Sequence, residues 1–152
     1  MELTNESIIS WMDEYFDVYA KYGQVAETAN RMHKYFAPDL RFIPYIAPIG
    51  GPEKGFHTAD EFIQTAVRHT AWYEKLTPLI YTIDEKRKSV VVMFTIDVYD
   101  RKTGKVAVTR TAMSHYELIL DANKDIKIKT IRFFWEVLPP TVKEFFELFP
   151  GR

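Results

Sequence analysis

Residues 89–100 read SVVVMFTIDVYD, and the alternation in this stretch decides the fold class. Val92, Phe94, Ile96 and Val98 occupy the even positions and are uniformly apolar, whereas the odd positions include Thr95, Asp97 and Tyr99. Strand side chains alternate between faces with a period of two, so the even face of this strand is predicted to be buried. Working outward, residues 76–84, 105–120 and 126–137 share the enrichment in Val, Ile, Thr, Tyr and Phe. They are separated by the charged turns DEKRK (84–88), DRKTGK (100–105) and DANKD (121–125), which predicts a meander of antiparallel hairpins. In the last strand Ile131, Phe133 and Trp135 point inward while Ile126 and Ile128 have the opposite parity. A bulge near Lys129 or Thr130 reconciles the two sets.

Toward the N-terminus the period changes. Ile8, Trp11, Met12, Tyr15, Tyr19 and Tyr22 recur at three- and four-residue spacing, predicting an amphipathic helix over 4–22 that Gly23 ends. A second helix is predicted from Val25, Ala29, Met32, His33 and Phe36 until Pro38, packed on the first as a hairpin. Leu40 to Ile46 reads as a short strand and APIGGPEKG (47–55) as a loop. TADE (58–61) is a capping box opening a third helix, with Phe62, Ala66, His69 and Tyr73 on its inner face. After the meander, TVKEFFELF (141–149) predicts a C-terminal helix with an apolar face. Helices followed by a run of strands is α+β order, and strands this long coil into a cone-shaped curved antiparallel sheet wrapped around the helices, an α+β barrel. The whole chain, 1–152, is expected to form a single domain.

Composition narrows the function classes. Twenty basic against twenty-one acidic residues leave a net charge of −1, so no global field recruits nucleic acid or an anionic membrane. The absence of Cys excludes disulfides, thiolate catalysis and Cys-bound zinc, and four His without HxH or HxxxH spacing give no metal motif. Neither a phosphate-binding nor a dinucleotide-binding glycine motif is present, so no cofactor is expected. Acidic residues interrupt the N-terminal MELTNESIISWMDEYF, which reads as neither signal peptide nor membrane span, and a cytoplasmic location is expected. Eleven Phe, nine Tyr and three Trp suit a pocket for a small apolar or aromatic ligand, or an aromatic core.

HKYFAPDLRF (33–42), KGFHTADEFI (54–63) and the meander ending in KIKTIRFFWE (127–136) resemble the nuclear-transport-factor-2-like superfamily. That group includes ketosteroid isomerase, scytalone dehydratase and the SnoaL-like polyketide cyclases. The resemblance implies a small-molecule pocket, with isomerase, dehydratase or cyclase chemistry by acid–base catalysis on an apolar ligand. Tyr15 in DEYFDVYAKYG falls where the ketosteroid isomerase pattern has its oxyanion-donating Tyr. Pro44 and Tyr45 stand where that pattern has its general-base Asp, and Ser114 in TAMSHYELI replaces the protonated Asp. The carboxylate base is therefore absent from the position the family uses. APDLRFIPY (37–45) also resembles a stretch of scytalone dehydratase, which works with Tyr and His groups; Tyr15, Tyr45 and His69 are available for such roles.

The alignment that turns Ser114 inward also turns Arg110, Ala112, Tyr116 and Leu118 inward. The expected site thus places Tyr15, His69 and Ser114 as polar groups of one cavity, with Tyr45, Trp72, Phe94, Arg110, Tyr116 and Trp135 as ligand contacts. Each also has a plainer reading. Tyr15 and Tyr116 fit a core with satisfied hydroxyls, His69 a core histidine bonded to a carbonyl, and Arg110 a side chain snorkelling to solvent. The competing functional reading is a non-catalytic ligand-binding or dimerisation module. The outer face of the meander, with Met93, Thr95, Tyr99, Thr111 and Met113, is low enough in charge to predict a homodimer.

Overall fold

The computed structural model describes residues 2–46 and 51–135. One long helix, α1 (Asn5–Tyr22), and one short helix, α2 (Ala59–Ala66), pack on a five-stranded sheet. Its strands are β1 (Phe36–Ile46), β2 (Trp72–Asp84), β3 (Ser89–Asp100), β4 (Val106–Leu120) and β5 (Ile126–Trp135). Spatial order is β1-β5-β4-β3-β2. The α+β reading holds, with two refinements. Among the described residues the sheet stays open, with β1 and β2 at its edges, and β1 joins β5 in parallel while the meander is antiparallel. A 3₁₀ turn, Pro52–Lys54, and α2 intervene between β1 and the meander, so the first strand joins the sheet beside the last one rather than through a hairpin.

α1 forms where its periodicity places it. Thr4 caps it by accepting from the Ser7 backbone, and Ser7 accepts in turn from the Thr4 N–H at 2.9 Å. Ile8, Trp11, Met12, Tyr15, Phe16 and Tyr19 form its buried face. The second predicted helix is corrected to a 3₁₀ segment, Ala29–Lys34, and β1 already starts at Phe36. Pro38 therefore ends no helix. It sits in an edge strand where the ladder is broken, between the Phe36 and Arg41 pairings, so its missing N–H costs no sheet hydrogen bond.

α2 is capped by Thr58, which accepts from Glu61 N, but the Glu61 carboxylate accepts from His57 N rather than closing the box on Thr58. The helix ends at Ala66, so His69 and Tyr73 are not on its face; His69 lies in the connection to β2 and Tyr73 on β2 itself. At Gly55 the chain passes so close to β1 that a Cβ would stand 1.7 Å from the Phe42 carbonyl oxygen, which is why the Phe42–Phe56 bridge needs glycine beside it.

The meander keeps the predicted register. Val92, Phe94 and Ile96 are buried with Val90, although Val98 is only half-buried near the strand end. Ala112, Ser114, Tyr116 and Leu118 are the buried row of β4. The expected bulge falls on Lys129: Glu117 pairs with Thr130 and Leu118 with Ile128, leaving Lys129 unopposed and its ammonium paired with Asp39. That one extra residue lets Ile126, Ile128 and Ile131 all reach the same core. No described helix is long and apolar enough to cross a membrane. The C-terminal helix expected at 140–149 lies outside the described residues.

Candidate functional site

α1 carries a ladder of rings across the inner sheet face. Tyr15 packs parallel to Trp11 and Tyr19, with ring centroids at 6.3 and 6.4 Å, and meets Tyr116 edge-on at 6.2 Å. The helix is held to the sheet by phenols reaching carboxylates: Tyr81 of β2 donates to Asp13 at 2.6 Å, and Tyr19 donates to Glu74 at 2.8 Å. Between α1, β1 and the strands lies a cavity of about 360 Å³, whose walls include Phe42, Phe133 and Trp135.

Its polar groups come from three elements. α1 supplies Tyr15 and Tyr19, β4 supplies Ser114 and Tyr116, and β2 supplies Glu74. Tyr15, Ser114 and Tyr116 are 4%, 1% and 2% exposed, and Ser114 Oγ is a buried atom with no hydrogen-bond partner among the described residues. Ser114 Oγ lies near enough to the Tyr116 phenol to temper that phenol's acidity shift, but not in hydrogen-bonding geometry. A buried hydroxyl without a partner costs free energy, about 1–3 kcal/mol by the usual penalty for desolvating one. Such a hydroxyl facing a cavity that buried phenols also line is a pattern that cores avoid and ligand sites use.

Glu74 is the carboxylate of the site. It touches the cavity and so retains some accessible surface, but it lies deep beneath protein atoms, and burial raises its carboxyl above the usual range. The Tyr19 hydrogen bond and the charge of His69 oppose that rise. Burial also lifts the phenols of Tyr15 and Tyr19 well above their ordinary acidity, and the neighbouring Glu74 charge adds to it, so both stay protonated at neutral pH. The position of Glu74 is set by Gln24, which is 7% exposed. The Gln24 side-chain amide accepts from Glu74 N and donates to Glu74 O, both at 2.7 Å, and so acts as a strand partner for the edge of β2. Arg101 locks this clamp by donating to the carbonyls of Gln24 and Trp72 at 2.9 and 3.1 Å.

No protein-family model and no curated protein matches the chain. Solved structures do. ActVI-ORFA from Streptomyces coelicolor superposes with a TM-score of 0.62 at 8% identity, over 84% of this chain and 93% of that one. A candidate polyketide cyclase from Xanthomonas campestris pv. campestris gives 0.61 at 12% identity, over 84% and 88%. An NTF2-like protein from Anabaena variabilis gives 0.59 at 14% identity, over 88% and 92%. The chain has the nuclear-transport-factor-2-like fold. At these identities the likeness is one of architecture, and the chemistry has to come from the residues.

Within this nuclear-transport-factor-2-like fold, the structure brings together Tyr15, Ser114, Tyr116 and Trp135 as lining of one cavity. The other expected site residues fall elsewhere. His69 and Trp72 line an adjoining pocket, which meets the first one at Tyr19 and Glu74, because α2 ends a turn short of His69. Phe94 is fully buried behind the cavity, between Phe16 and Phe133. Tyr45 is on the outer face, stacked on Phe134 at 4.7 Å, since one residue's shift along β1 reverses the side. Arg110 has the expected parity but sits where β4 runs past the helices; it is exposed and donates to the Thr109 carbonyl at 3.0 Å. The positions on β1 and β4 hold no carboxylate, as read from the sequence, but β2 brings Glu74 to the cavity, which the sequence reading did not include. In YEKLTP (73–78) Glu74 shares the parity of the half-buried Leu76 against exposed Lys75 and Thr77, a signal that alternation carried once β2 was known to start at Trp72.

Proposed function

We propose that this protein binds a small, largely apolar carbonyl or phenolic ligand in the cavity between α1 and the inner sheet face, and performs acid–base chemistry on it. The observation that carries this reading is the convergence on one cavity of the partnerless Ser114 hydroxyl, the buried Tyr15 and Tyr116 phenols and the Glu74 carboxyl. The hydroxyls of Tyr15, Ser114 and Tyr116 are donors for one ligand oxygen. They would stabilise negative charge developing there, in the manner of an oxyanion site. Glu74, whose carboxyl is raised above the usual range by burial, is suited to take a proton from carbon or oxygen and return it. The simplest such step is enolisation: the ligand's α-C–H bond breaks, its proton goes to the Glu74 carboxylate, and the electron pair moves onto the carbonyl oxygen. Return of the proton to a different carbon is isomerisation, and attack of the enolate carbon on a second carbonyl is cyclisation. These are the reaction types that the resemblance to SnoaL-like proteins implies.

The test is deuterium exchange into the methyl group of 2-acetylnaphthalene in D₂O, followed by proton NMR. Wild-type protein should accelerate exchange and Glu74→Gln should abolish the acceleration while leaving binding of the ketone intact. Binding without any acceleration in the wild type would favour the non-catalytic binding module.

We also propose that a second copy covers the outer sheet face, where Met113 and Phe134 are 43% and 44% exposed beside Val91. A monomer in light scattering across micromolar concentrations would exclude it.

A further inference from the structure

We propose that the cavity is charge-selective: it takes uncharged ligands that present an acceptor oxygen and rejects the carboxylate analogues of the same shape. This rests on the ligand-binding reading above and specifies the ligand class.

The described lining contains no Lys, Arg or His. Its polar side-chain groups are four hydroxyls, the Trp135 indole N–H and one carboxyl. Hydroxyls are neutral donors, adequate for a carbonyl oxygen whose charge is partial, but they supply no countercharge for a full anion. The nearby cations do not line this cavity. Arg101 has its guanidinium on two backbone carbonyls and over the Tyr73 ring, and His69 lines the adjoining pocket, which shares Tyr19 and Glu74 with this one. An anionic ligand would leave water for an apolar cavity and meet a carboxyl there, which costs more than the hydroxyls return.

Two consequences separate this proposal from simple shape selection. An anion seated near Glu74 favours the protonated carboxyl, so whatever anion binds takes up a proton and its affinity falls as pH rises. The titratable groups facing Glu74 are Tyr15 and Tyr19 from α1, Tyr116 from β4 and His69 from the segment before β2. The three phenols, raised by burial, stay neutral across the range of interest. Replacing Glu74 by Gln removes the repelling charge, so the penalty on the anion should shrink.

The experiment is a calorimetric titration of the full chain with three naphthalenes of nearly the same shape: 2-acetylnaphthalene, 2-naphthamide and 2-naphthoate. At pH 7.5 the ketone and the amide should each bind about tenfold or more tightly than the carboxylate, the minimum expected for an unpaired charge in an apolar site. Naphthoate affinity should rise toward pH 5.5 with proton uptake, while ketone affinity stays flat. In Glu74→Gln the gap between ketone and naphthoate should narrow. Naphthoate binding as tightly as the ketone at pH 7.5, or an unchanged gap in Glu74→Gln, overturns charge selection while leaving the pocket reading standing. Failure of all three to bind counts against the pocket reading itself, and the selectivity falls with it.

Discussion

Gln24 offers the sharpest test of how the site is built, because it touches no ligand and yet sets the position of Glu74. Its side-chain amide makes two 2.7 Å hydrogen bonds to the Glu74 backbone on the edge of β2, and 7% of the residue is exposed. Gln24→Ala removes both partners and leaves one N–H and one C=O unpaired in a half-buried position. A buried group stripped of its partner costs about 1–3 kcal/mol; with water able to reach part of this edge, the pair should cost about 2 kcal/mol in total. At a typical urea slope of about 1–3 kcal/mol per M, the unfolding midpoint should fall by roughly 1 M with the slope unchanged. The second readout is local. With the clamp gone, the β2 edge around Glu74 should lose amide-exchange protection more than the β3–β4 pairing does. A loss of stability under about 0.5 kcal/mol, within the range of ordinary surface changes, would refute the claim that this amide substitutes for a strand partner.

Two further outcomes follow from the same groups. Glu74 has a folded-state pKa above its unfolded value of 4.5, so its burial is tolerated fully only below about that pH and destabilises increasingly as pH rises through the folded pKa. Glu74→Gln should therefore match the wild type in thermal stability near pH 4 and exceed it at pH 8; the reverse order in melting curves would contradict a raised carboxyl. Ser114→Ala removes a hydroxyl that is 1% exposed and has no partner, so the protein should melt at the same or a higher temperature, with a gain of up to about 1 kcal/mol, while binding of 2-acetylnaphthalene weakens. A clear loss of stability together with unchanged binding would make Ser114 a structural residue.

Much of the fold was legible because binary pattern acts locally. The even face of SVVVMFTIDVYD, the helical stripe from Ile8 to Tyr19 and the parity conflict that located the Lys129 bulge depend only on which residues are apolar and at what spacing. Such a pattern fixes which side of each element is buried, because a slip by one residue would put a whole row of rings in water. Partners across space are another matter. The parallel pairing of β1 with β5, the short 3₁₀ turn where a helix was expected, and the end of α2 before His69 were settled by where segments dock. Neither propensity nor period encodes those distances.

The same division runs through the site. Tyr15, Ser114 and Tyr116 could be placed inward from sequence because each lies on a buried row of its own element. That they share one cavity with Glu74, and that Glu74 is held there by an amide from the segment after α1, depends on residues 50 positions apart meeting at the edge of β2. Alternation assigns a face but not a neighbour. The chain by itself determined that aromatic rings and hydroxyls would be buried; the tertiary structure decided that the Ser114 hydroxyl went without a partner and that Glu74 shared its cavity. The physical reason is that desolvation and hydrogen-bond satisfaction are properties of a packed volume, whereas sequence pattern reports only the direction in which each side chain leaves the backbone.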